Sequence, residues 1–350
     1  MGVHGYDVHI INALRAIEVY AKENGIVKIG ILGDLFHDRY AVQIQLMNQV
    51  IDYLTRLKQS GIDVFMIPGN HDMPTKANHQ NTTLKPLCGI STVIDKVSVA
   101  EIYDRAFIFV PFLPIVDIYC EILEQAINRS TRDSIIMTHI GCTSALTNTC
   151  FMHQMVSVPP SLFDTLRTYT GHYHIPQSVD NKIYYCGSIL PFKFDEGGID
   201  HGFFVLNVSD MTHEFINIRP LINKYFGRDH VPPDMITVHV DHISQLEEDE
   251  IYLNKFRIAH NDSLNDIEQR DIRNQFRSAK ALDIKFFNLG SAVTNKPLTG
   301  NTVESKLDMK SLLDQWITVN KLPDGIDRNL LHNINAAIIE SGEVLRLQDE

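Results

Sequence analysis

The stretch "DVFMIPGNHD", Asp63 to Asp72, decides the fold: an apolar, strand-forming run ends at Pro-Gly and a polar cluster follows at once. The stretch "VKIGILGD", Val27 to Asp34, has the same pattern, an apolar run followed by a glycine and a polar residue. Between them, "IQLMNQVIDYLTRLKQSG" carries apolar residues at helical spacing and stops at Gly61. Strands that are apolar throughout and alternate with helices predict a sheet with crossover helices. We therefore expect an α/β protein.

Outward from this unit, the pattern predicts further strands and a helix near residues 117–128. The strands are "RAFIFVPF", "DSIIMTHIG", "KIYYCGS" and "GFFVLNV". After about residue 225, two strands and a helix carrying Ile272 and Phe276 indicate a small α+β unit. A polar, Gly- and Thr-rich linker and two short amphipathic helices follow. We expect four segments: a main domain at 1–222, a capping domain at 223–290, a linker at 291–308 and helices at 309–350.

Composition limits the class of protein. With 44% apolar and 21% charged residues, the 350-residue chain resembles an ordinary globular protein. It has no apolar run of the ~18–20 residues that a membrane span requires and no basic-then-apolar leader, so we expect a cytoplasmic protein without a membrane partner. Five scattered cysteines predict reduced thiols. The net charge of −12 argues against holding nucleic acid by charge alone.

Four short motifs each follow a predicted strand. They are "GDLFHDR" (33–39), "GNHD" (69–72), "THIG" (138–141) and "GHYH" (171–174). Loops beyond the carboxyl ends of such strands converge on one crevice. The motifs bring to it Asp34, Asn70, His71, His139, His172 and His174. This set of oxygen and nitrogen ligands suits Mn²⁺, Fe or Zn²⁺, and a carboxylate that bridges two ions suits phosphoester hydrolysis. Each motif alone is a common turn or strand end; the four in order indicate a metal site.

The order of these motifs resembles the calcineurin-like metallophosphoesterases. The strings "GDLFHDR", "FVPFLP", "GHYHIPQ" and "YYCGSILPFKFDEGGIDHGFF" resemble one branch, the SbcD-type DNA repair nucleases and the corresponding subunit of tailed phages. The resemblance covers about residues 10–220 and implies a four-layer α/β/β/α sandwich. More loosely, residues 225–290 resemble its capping domain. The last fifty residues resemble the helices that bind an SbcC-type ABC ATPase with a long coiled coil.

The resemblance also implies a ligand set for two divalent cations, most consistent with Mn²⁺. Asp34 is expected to bridge both ions. Asn70, His139 and His172 are expected to complete the coordination of the second ion, and His174 is expected to ligate the first.

Three further residues receive catalytic roles from the resemblance. His71 is expected to face the scissile phosphate and to stabilise charge or protonate the leaving oxygen. Asp72 would orient His71. His37 would orient the DNA end, the alternative being an exposed loop histidine. Where the family has Gly-Ser-Pro, this chain has Gly187-Ser188-Ile189.

The opening stretch, "MGVHGYDVHII", raises a separate question. The family begins with a strand ending in Asp-x-His, which ligates the first metal ion and is followed by Leu or Met and then Gly. Asp7 and His9 have the same spacing, but Asp7 also suits the N-cap of a helix that stops at Asn24-Gly25. We expect the helix, with Asp7 and His9 as ligands the alternative. We further expect an in-frame extension upstream of Met1 to encode the apolar strand and its Asp-x-His.

The resulting functional expectation is a metal-dependent DNA exonuclease and endonuclease subunit of an SbcC/SbcD-type recombination, repair and replication complex. Its partners would be DNA and the ATPase, with a homodimer inside a heterotetramer. The terminal apolar stripes, which include Leu312, Trp316 and Ile334, would bind the ATPase or pack on the chain itself. Two other functions stay open: a phosphomonoesterase or cyclic-nucleotide phosphodiesterase of the same superfamily, and a scaffold subunit without catalysis.

Overall fold

A computed structural model describes residues 1, 6–73, 82–131, 133–145, 157–163, 166–261 and 264–288. These residues form a mixed α/β fold with several sheets. The expected linker and the expected C-terminal helices fall within residues 289–350, outside the described residues. Within the described ranges, no helix is both long and apolar enough to cross a membrane.

The N-terminal part contains two α-helices and a small parallel sheet. Its elements are α1 (Asp7–Glu23), β1 (Lys28–Leu32), α2 (Ile44–Gln59), β2 (Asp63–Ile67) and β3 (Thr92–Val93). The strands lie in the order β1-β2-β3, all parallel, with Leu32 of β1 opposite Ile67 of β2. The two apolar stretches of the sequence therefore end side by side, and the loops that follow them start from the same edge.

The helix expected at the N-terminus is confirmed, but Asp7 is not its N-cap. Tyr6 holds that position, and its carbonyl accepts hydrogen bonds from the backbone N–H of His9 and of Ile10. Tyr6 is buried and its ring packs on Phe192, so packing and not a capping side chain fixes the helix start. Asp7 is the first helical residue, where its charge suits the positive end of the helix dipole.

The middle of the chain forms a larger mixed sheet. Its elements are β4 (Ser98–Ile102), β5 (Arg105–Val110), α3 (Val116–Asn128), β6 (Ile135–Thr138), β7 (Gly141–Cys142), β8 (Ser157–Val158), β9 (Arg167–Thr170), β10 (Gln177–Val179) and β11 (Ile183–Tyr185). Six strands lie in the order β10-β11-β9-β6-β5-β4, parallel except for the two edge strands. The loops after β6 and β9 carry the histidine motifs.

Alternate residues of the large sheet serve two apolar clusters. Phe107 and Phe109 of β5 pack with Ile67 of the small sheet, whereas Ile108 and Val110 pack with Tyr119 and Leu123 of α3. A strand sends successive side chains to opposite faces, and a strand buried on both faces needs apolar residues throughout. A third cluster lies under α1 and α2.

The C-terminal part of the described chain has a hairpin and a small sheet. Its elements are β12 (Gly202–Asn207), β13 (Thr212–Asn217), α4 (Ile218–Phe226), β14 (Met235–His239), α5 (Glu248–Ile251), β15 (Lys255–His260), α6 (Asp266–Ser278) and β16 (Asp283–Asn288). Strands β14, β15 and β16 are all parallel. The unit expected as α+β is thus α/β in its connections, because each strand returns to the sheet through a helix.

Candidate metal centre

The loops after β1 and β2 meet so closely that glycine is required. Gly33 has φ +87°, and a Cβ there would overlap the ring of His139. A Cβ at Gly69 would overlap the carboxylate of Asp34. Asp34 and His172 themselves have φ of 56° and 84°, a region that residues with a side chain seldom adopt and that is enriched at functional sites.

Asp34 and His139 form the centre of the cluster. Asp34 Oδ1 accepts a hydrogen bond from the His71 backbone N–H at 2.8 Å, and Oδ2 lies 3.2 Å from His139 Nε2. His139 Nδ1 donates to the Leu32 carbonyl at 2.7 Å. That bond aims Nε2 at two oxygens, Asp34 Oδ2 and, at 3.1 Å, Asn70 Oδ1. Because these oxygens would repel an unprotonated nitrogen, the arrangement favours a proton or a cation at Nε2.

The electrostatics agree with this geometry. Burial alone would raise the pKa of Asp34, but the nearby charge and hydrogen bond of His139 outweigh burial and lower it. Burial acts to lower the pKa of His139, and Asp34 more than compensates and raises it. Asp34 is therefore an ionised carboxylate, and its negative charge favours the protonated form of His139.

His172 and Asn70 complete the same cluster. His172 Nδ1 lies 3.0 Å from Asn70 Oδ1, so this amide oxygen faces both imidazoles. Burial, then the charge of His139, lowers the pKa of His172 to about 3, which keeps the ring neutral. Its Nε2 is buried and has no hydrogen-bond partner among the described residues. A buried polar atom without a partner is uncommon and fits a position where a ligand is bound.

Asp72 binds the loops and not the ring of His71. Its carboxylate accepts hydrogen bonds from the backbone N–H of Asp34 at 2.6 Å, Gly69 at 2.9 Å and Phe36 at 3.3 Å. Asp72 is fully buried, and burial together with the charge of Asp34 raises its pKa to about 6. In the described contacts, Asp72 therefore holds the loops after β1 and β2 together.

The ring of His71 is positioned by His37. His71 Nδ1 donates to the His37 carbonyl at 2.8 Å, which leaves Nε2 as the unprotonated nitrogen in the neutral ring. The two imidazoles stack with centroids 5.2 Å apart and planes 15° apart. His37 is exposed, and its pKa is lowered by burial of its inner part and by His71.

His174 lies on the same cavity as Asp34, His139 and His172 but has its own support. Its Nδ1 is 2.8 Å from Oε1 of Glu196, and Oε2 of Glu196 accepts the Phe192 backbone N–H at 2.7 Å. Glu196 is fully buried; burial would raise its pKa, and His174 more than compensates and lowers it. Sequence reasoning missed Glu196, since nothing local marks an acid 22 residues after the histidine it contacts.

The Gly187-Ser188-Ile189 loop docks on the same histidine. The Ser188 backbone N–H donates to the His174 carbonyl at 2.9 Å. The loop therefore supports His174 although isoleucine stands where the resemblance expects proline.

Asp7 and His9 lie elsewhere, on the first turn of α1. Although both residues are described, neither lines the cavity that Asp34, His139, His172 and His174 line. The ring of His9 packs at 6.2 Å from Tyr6, and its buried Nδ1 has no hydrogen-bond partner in the described part of the chain. Burial, then Lys255, lowers the pKa of His9.

The donor set fits a divalent cation. Among the described residues, imidazole, carboxylate and thiol groups alone make no cluster of three or more ligands. The Asn70 amide oxygen lies 3.1 Å from His139 Nε2 and 3.0 Å from His172 Nδ1, and Asp34 Oδ2 lies 3.2 Å from His139 Nε2, so the four residues form a mixed set. The orphaned His172 Nε2 and the Nε2 of His139 facing two oxygens are the observations that favour a cation there.

Comparisons with known proteins cover the part of the chain that carries these residues. Residues 3–176 match the calcineurin-like phosphoesterase family model, a range that includes all four motifs. The chain is also similar to the SbcD component of the nuclease SbcCD of Staphylococcus epidermidis (strain ATCC 12228 / FDA PCI 1200). The two are 27% identical over 229 residues, or 55% of this chain and 59% of that protein, so the match spans less than two thirds of the relative. The chain therefore belongs to the calcineurin-like phosphoesterases, as a metallophosphoesterase of SbcD type.

Proposed function

We propose that the chain is a metal-dependent DNA nuclease, the phosphodiesterase subunit of an SbcC/SbcD-type recombination and repair complex. The observation that carries the proposal is the meeting of Asp34, Asn70, His139 and His172, with His71 held at their edge. In the proposal these residues and His174 hold two divalent cations, Mn²⁺ by preference. When bound, such ions activate water and withdraw charge from the phosphoryl oxygens.

The chain's own residues would position the substrate and move a proton. His71 donates through Nδ1 to the His37 carbonyl, so the ring has a fixed orientation, and in the protonated ring Nε2 would give its proton to the leaving oxygen. His37, stacked on His71 and exposed, would contact the DNA end. The buried His139 lies beside the half-buried Asp34 and stabilises its negative charge.

The test is Mn²⁺-dependent cleavage of a double-stranded oligonucleotide. Asp34→Asn and His172→Ala are each expected to reduce the rate by at least ~10³-fold, since each removes a group assigned to the cations. His230→Ala is the matched control, because His230 is exposed and far from this cluster in the chain. Circular dichroism checks that the variants fold. Cleavage at the wild-type rate by either centre variant contradicts the assignment.

A second candidate within the family is a phosphomonoesterase or cyclic-nucleotide phosphodiesterase. The family model matches only residues 3–176 and does not by itself distinguish these substrates from DNA. Hydrolysis of a small chromogenic phosphodiester without cleavage of DNA ends would favour it. A folded wild-type chain that binds no Mn²⁺ would favour the scaffold without catalysis.

The proposal includes an architecture and a place of action. The three apolar clusters, which lie under α1 and α2, between the two sheets and under α3, support a four-layer α/β/β/α sandwich. The four cysteines in the described ranges are free thiols, which supports action in the cytosol of a bacterium or a phage-infected cell.

The proposed partner is the ATPase subunit, with a homodimer of this chain inside a heterotetramer. Its support is the similarity to a component of an SbcCD nuclease and the apolar stripes of the sequence after residue 309. Truncation at residue 308 is expected to abolish capture of the purified ATPase and to leave binding of Mn²⁺ unchanged. Undiminished capture of the ATPase contradicts this part of the proposal.

A further inference from the structure

His201 is a fully buried histidine that does not line the cavity of the candidate metal centre. It stands in the stretch "FDEGGIDHGFF", after Glu196 and directly before β12. Burying a polar ring costs free energy unless its nitrogens find hydrogen-bond partners. The partners of the two ring nitrogens therefore indicate what a histidine does at this position.

Each ring nitrogen of His201 faces a backbone carbonyl of a different segment. Nδ1 donates to the Ser188 carbonyl at 2.9 Å and also lies 3.1 Å from the Ser188 hydroxyl. Nε2 lies 3.3 Å from the Glu196 carbonyl. A carbonyl oxygen only accepts hydrogen bonds, so the ring donates to both when each nitrogen carries a proton. The imidazole thus joins the loop of Ser188 to the 3₁₀ turn that ends at Glu196.

The two segments that His201 joins are those that hold His174. The Ser188 backbone N–H donates to the His174 carbonyl at 2.9 Å and so fixes the main chain of that residue. Oε1 of Glu196 lies 2.8 Å from His174 Nδ1 and so fixes its ring. Among the described contacts, none joins His201 to His174 directly. An effect of His201 on His174 therefore passes through Ser188 and Glu196.

The backbone of His201 is itself anchored, so its ring starts from a fixed position. The His201 carbonyl accepts the backbone N–H of Ile218, the first residue of α4, at 2.9 Å. Ile218 is fully buried in the apolar cluster under α1 and α2. The next residue, Gly202, packs so closely in the hairpin that a Cβ there would overlap the Ile216 carbonyl. The core of the protein thus determines where the imidazole lies.

From these contacts we propose that His201 is a positioning residue for His174. It holds the carbonyls of Ser188 and Glu196 in a fixed relation, so the main chain and the ring of His174 are supported together. The inference rests on the proposed function in one respect, the assignment of His174 to a cation. A cation requires its ligand at a defined angle, and the groups behind a ligating histidine set that angle.

The experiment compares three substitutions that differ in which bond they keep. His201→Asn brings an amide nitrogen near the position of Nδ1, where it can donate to Ser188. His201→Gln brings the nitrogen near the position of Nε2, where it can donate to Glu196. His201→Phe fills the space and donates to neither. His213→Phe is the matched control, because His213 lies in the same hairpin, on β13, and its Nδ1 faces the Tyr169 hydroxyl at 2.9 Å.

Two measurements are made on the full chain without cations. They are the order parameter of the His174 ring, from ¹³C relaxation, and amide hydrogen exchange at Ser188. His201→Phe is expected to lower the order parameter from about 0.85 to below about 0.6 and to speed exchange by at least about tenfold. His201→Gln should keep the ring ordered, and His201→Asn should keep the Ser188 amide protected. The control should change neither quantity.

Calorimetry then measures the affinity for Mn²⁺. His201→Phe is expected to weaken binding by about tenfold, and His201→Gln to restore most of the affinity. A loosened His174 ring with unchanged affinity supports the positioning role and contradicts the assignment of His174 to a cation. The two proposals can therefore fail separately.

Circular dichroism establishes which variants fold. An ordered His174 ring and a protected Ser188 amide in a folded His201→Phe chain overturn the proposal. Equal losses in all three His201 variants, or the same losses in the His213 control, also overturn it, because they indicate a general effect of packing. If His201→Phe does not fold, the other two substitutions decide: opposite effects on the ring and the amide support the proposal, and identical effects overturn it.

Discussion

At the scale of single residues, Asp72 links the two loops that carry Asp34 and Asn70. Its two oxygens accept three backbone N–H groups from the loops after β1 and β2. Asp72→Asn replaces one oxygen by an amide group that cannot accept, so a buried N–H loses its partner. We expect a loss of about 1–3 kcal/mol in the free energy of unfolding, measured by urea denaturation.

Asp38 provides the matched control for Asp72. It also accepts two backbone N–H groups, from Tyr40 and Ala41, but it is exposed and water can replace it. Asp38→Asn is expected to leave the urea midpoint nearly unchanged. Equal destabilisation by both substitutions would contradict the role given to burial.

The structure shows that Glu196 supports His174 through a hydrogen bond to Nδ1 of its ring. Glu196→Gln is expected to weaken Mn²⁺ binding by about 10- to 100-fold in calorimetry, because the supporting carboxylate of a ligating histidine fixes its orientation and basicity. The neighbouring Asp195→Asn is the control, since Asp195 is exposed and its ion pair with Arg257 is long, at 4.0 Å. Unchanged affinity in the Glu196 variant would show that His174 binds no cation or needs no support.

The sequence could predict which residues meet, but not how they bond. The strand ends of one sheet were expected to bring Asp34 and Asn70 next to His139 and His172. The four residues do meet, but Asp34 and Asn70 follow strands of the small sheet and the two histidines follow strands of the large sheet. The partner of Asp72 depended on where three backbone amides point, and this follows from loop conformations that no local pattern specifies.

At the scale of elements, α6 begins with a capping box. The Asn265 side chain accepts the backbone N–H of Ile267 and Glu268, and the Glu268 side chain accepts the N–H of Asn265. Asn265→Ala is expected to cost about 1 kcal/mol, because two N–H groups of the first turn lose their acceptor. Asn274→Ala, in the exposed middle of the same helix, should be neutral or slightly stabilising. A comparable loss from both would contradict the capping role.

Elements with strong periodicity were predicted well, and short or interrupted ones were missed. The segments expected as strands at "VKIGILGD" and "DVFMIPGNHD" contain β1 and β2, and α2 and α3 lie where they were expected. Helix α4 was missed because Pro220 stands inside it, in the first turn, where proline is tolerated. Strand β13 was missed because its turn is made by the Asp210 side chain bonding to Thr212 and not by a glycine pair.

At the scale of the whole molecule, the sheet of β14, β15 and β16 has an apolar cluster of its own, centred on Phe256 and Phe276. Phe276→Ala is expected to cost about 3–5 kcal/mol and to speed amide exchange in these three strands, while exchange in β5 and β6 stays slow.

The comparison for Phe276 is Phe109→Ala, an equally buried position between the two sheets. This change should lower the main unfolding transition and speed exchange in β5 and β6. Loss of protection throughout the chain in both variants would mean that the described part unfolds as one cooperative unit.

The order of strands across the sheets was beyond sequence reasoning. That β9 lies between β11 and β6 depends on long-range pairing, since the chain passes through other segments between these strands. The parallel pairing of β14, β15 and β16 could not be predicted either, because it too depends on contacts between segments far apart in the sequence.

The Asp72 tether has a consequence for how this chain can change over generations. Because Asp72 holds the loops of Asp34, Phe36 and Gly69, these loops have a support within the protein itself. Mutational drift at a ligand such as His172 would then remove activity while leaving the architecture, and selection for assembly alone could preserve it. A lineage of inactive descendants should therefore retain Asp72 longer than it retains the histidines.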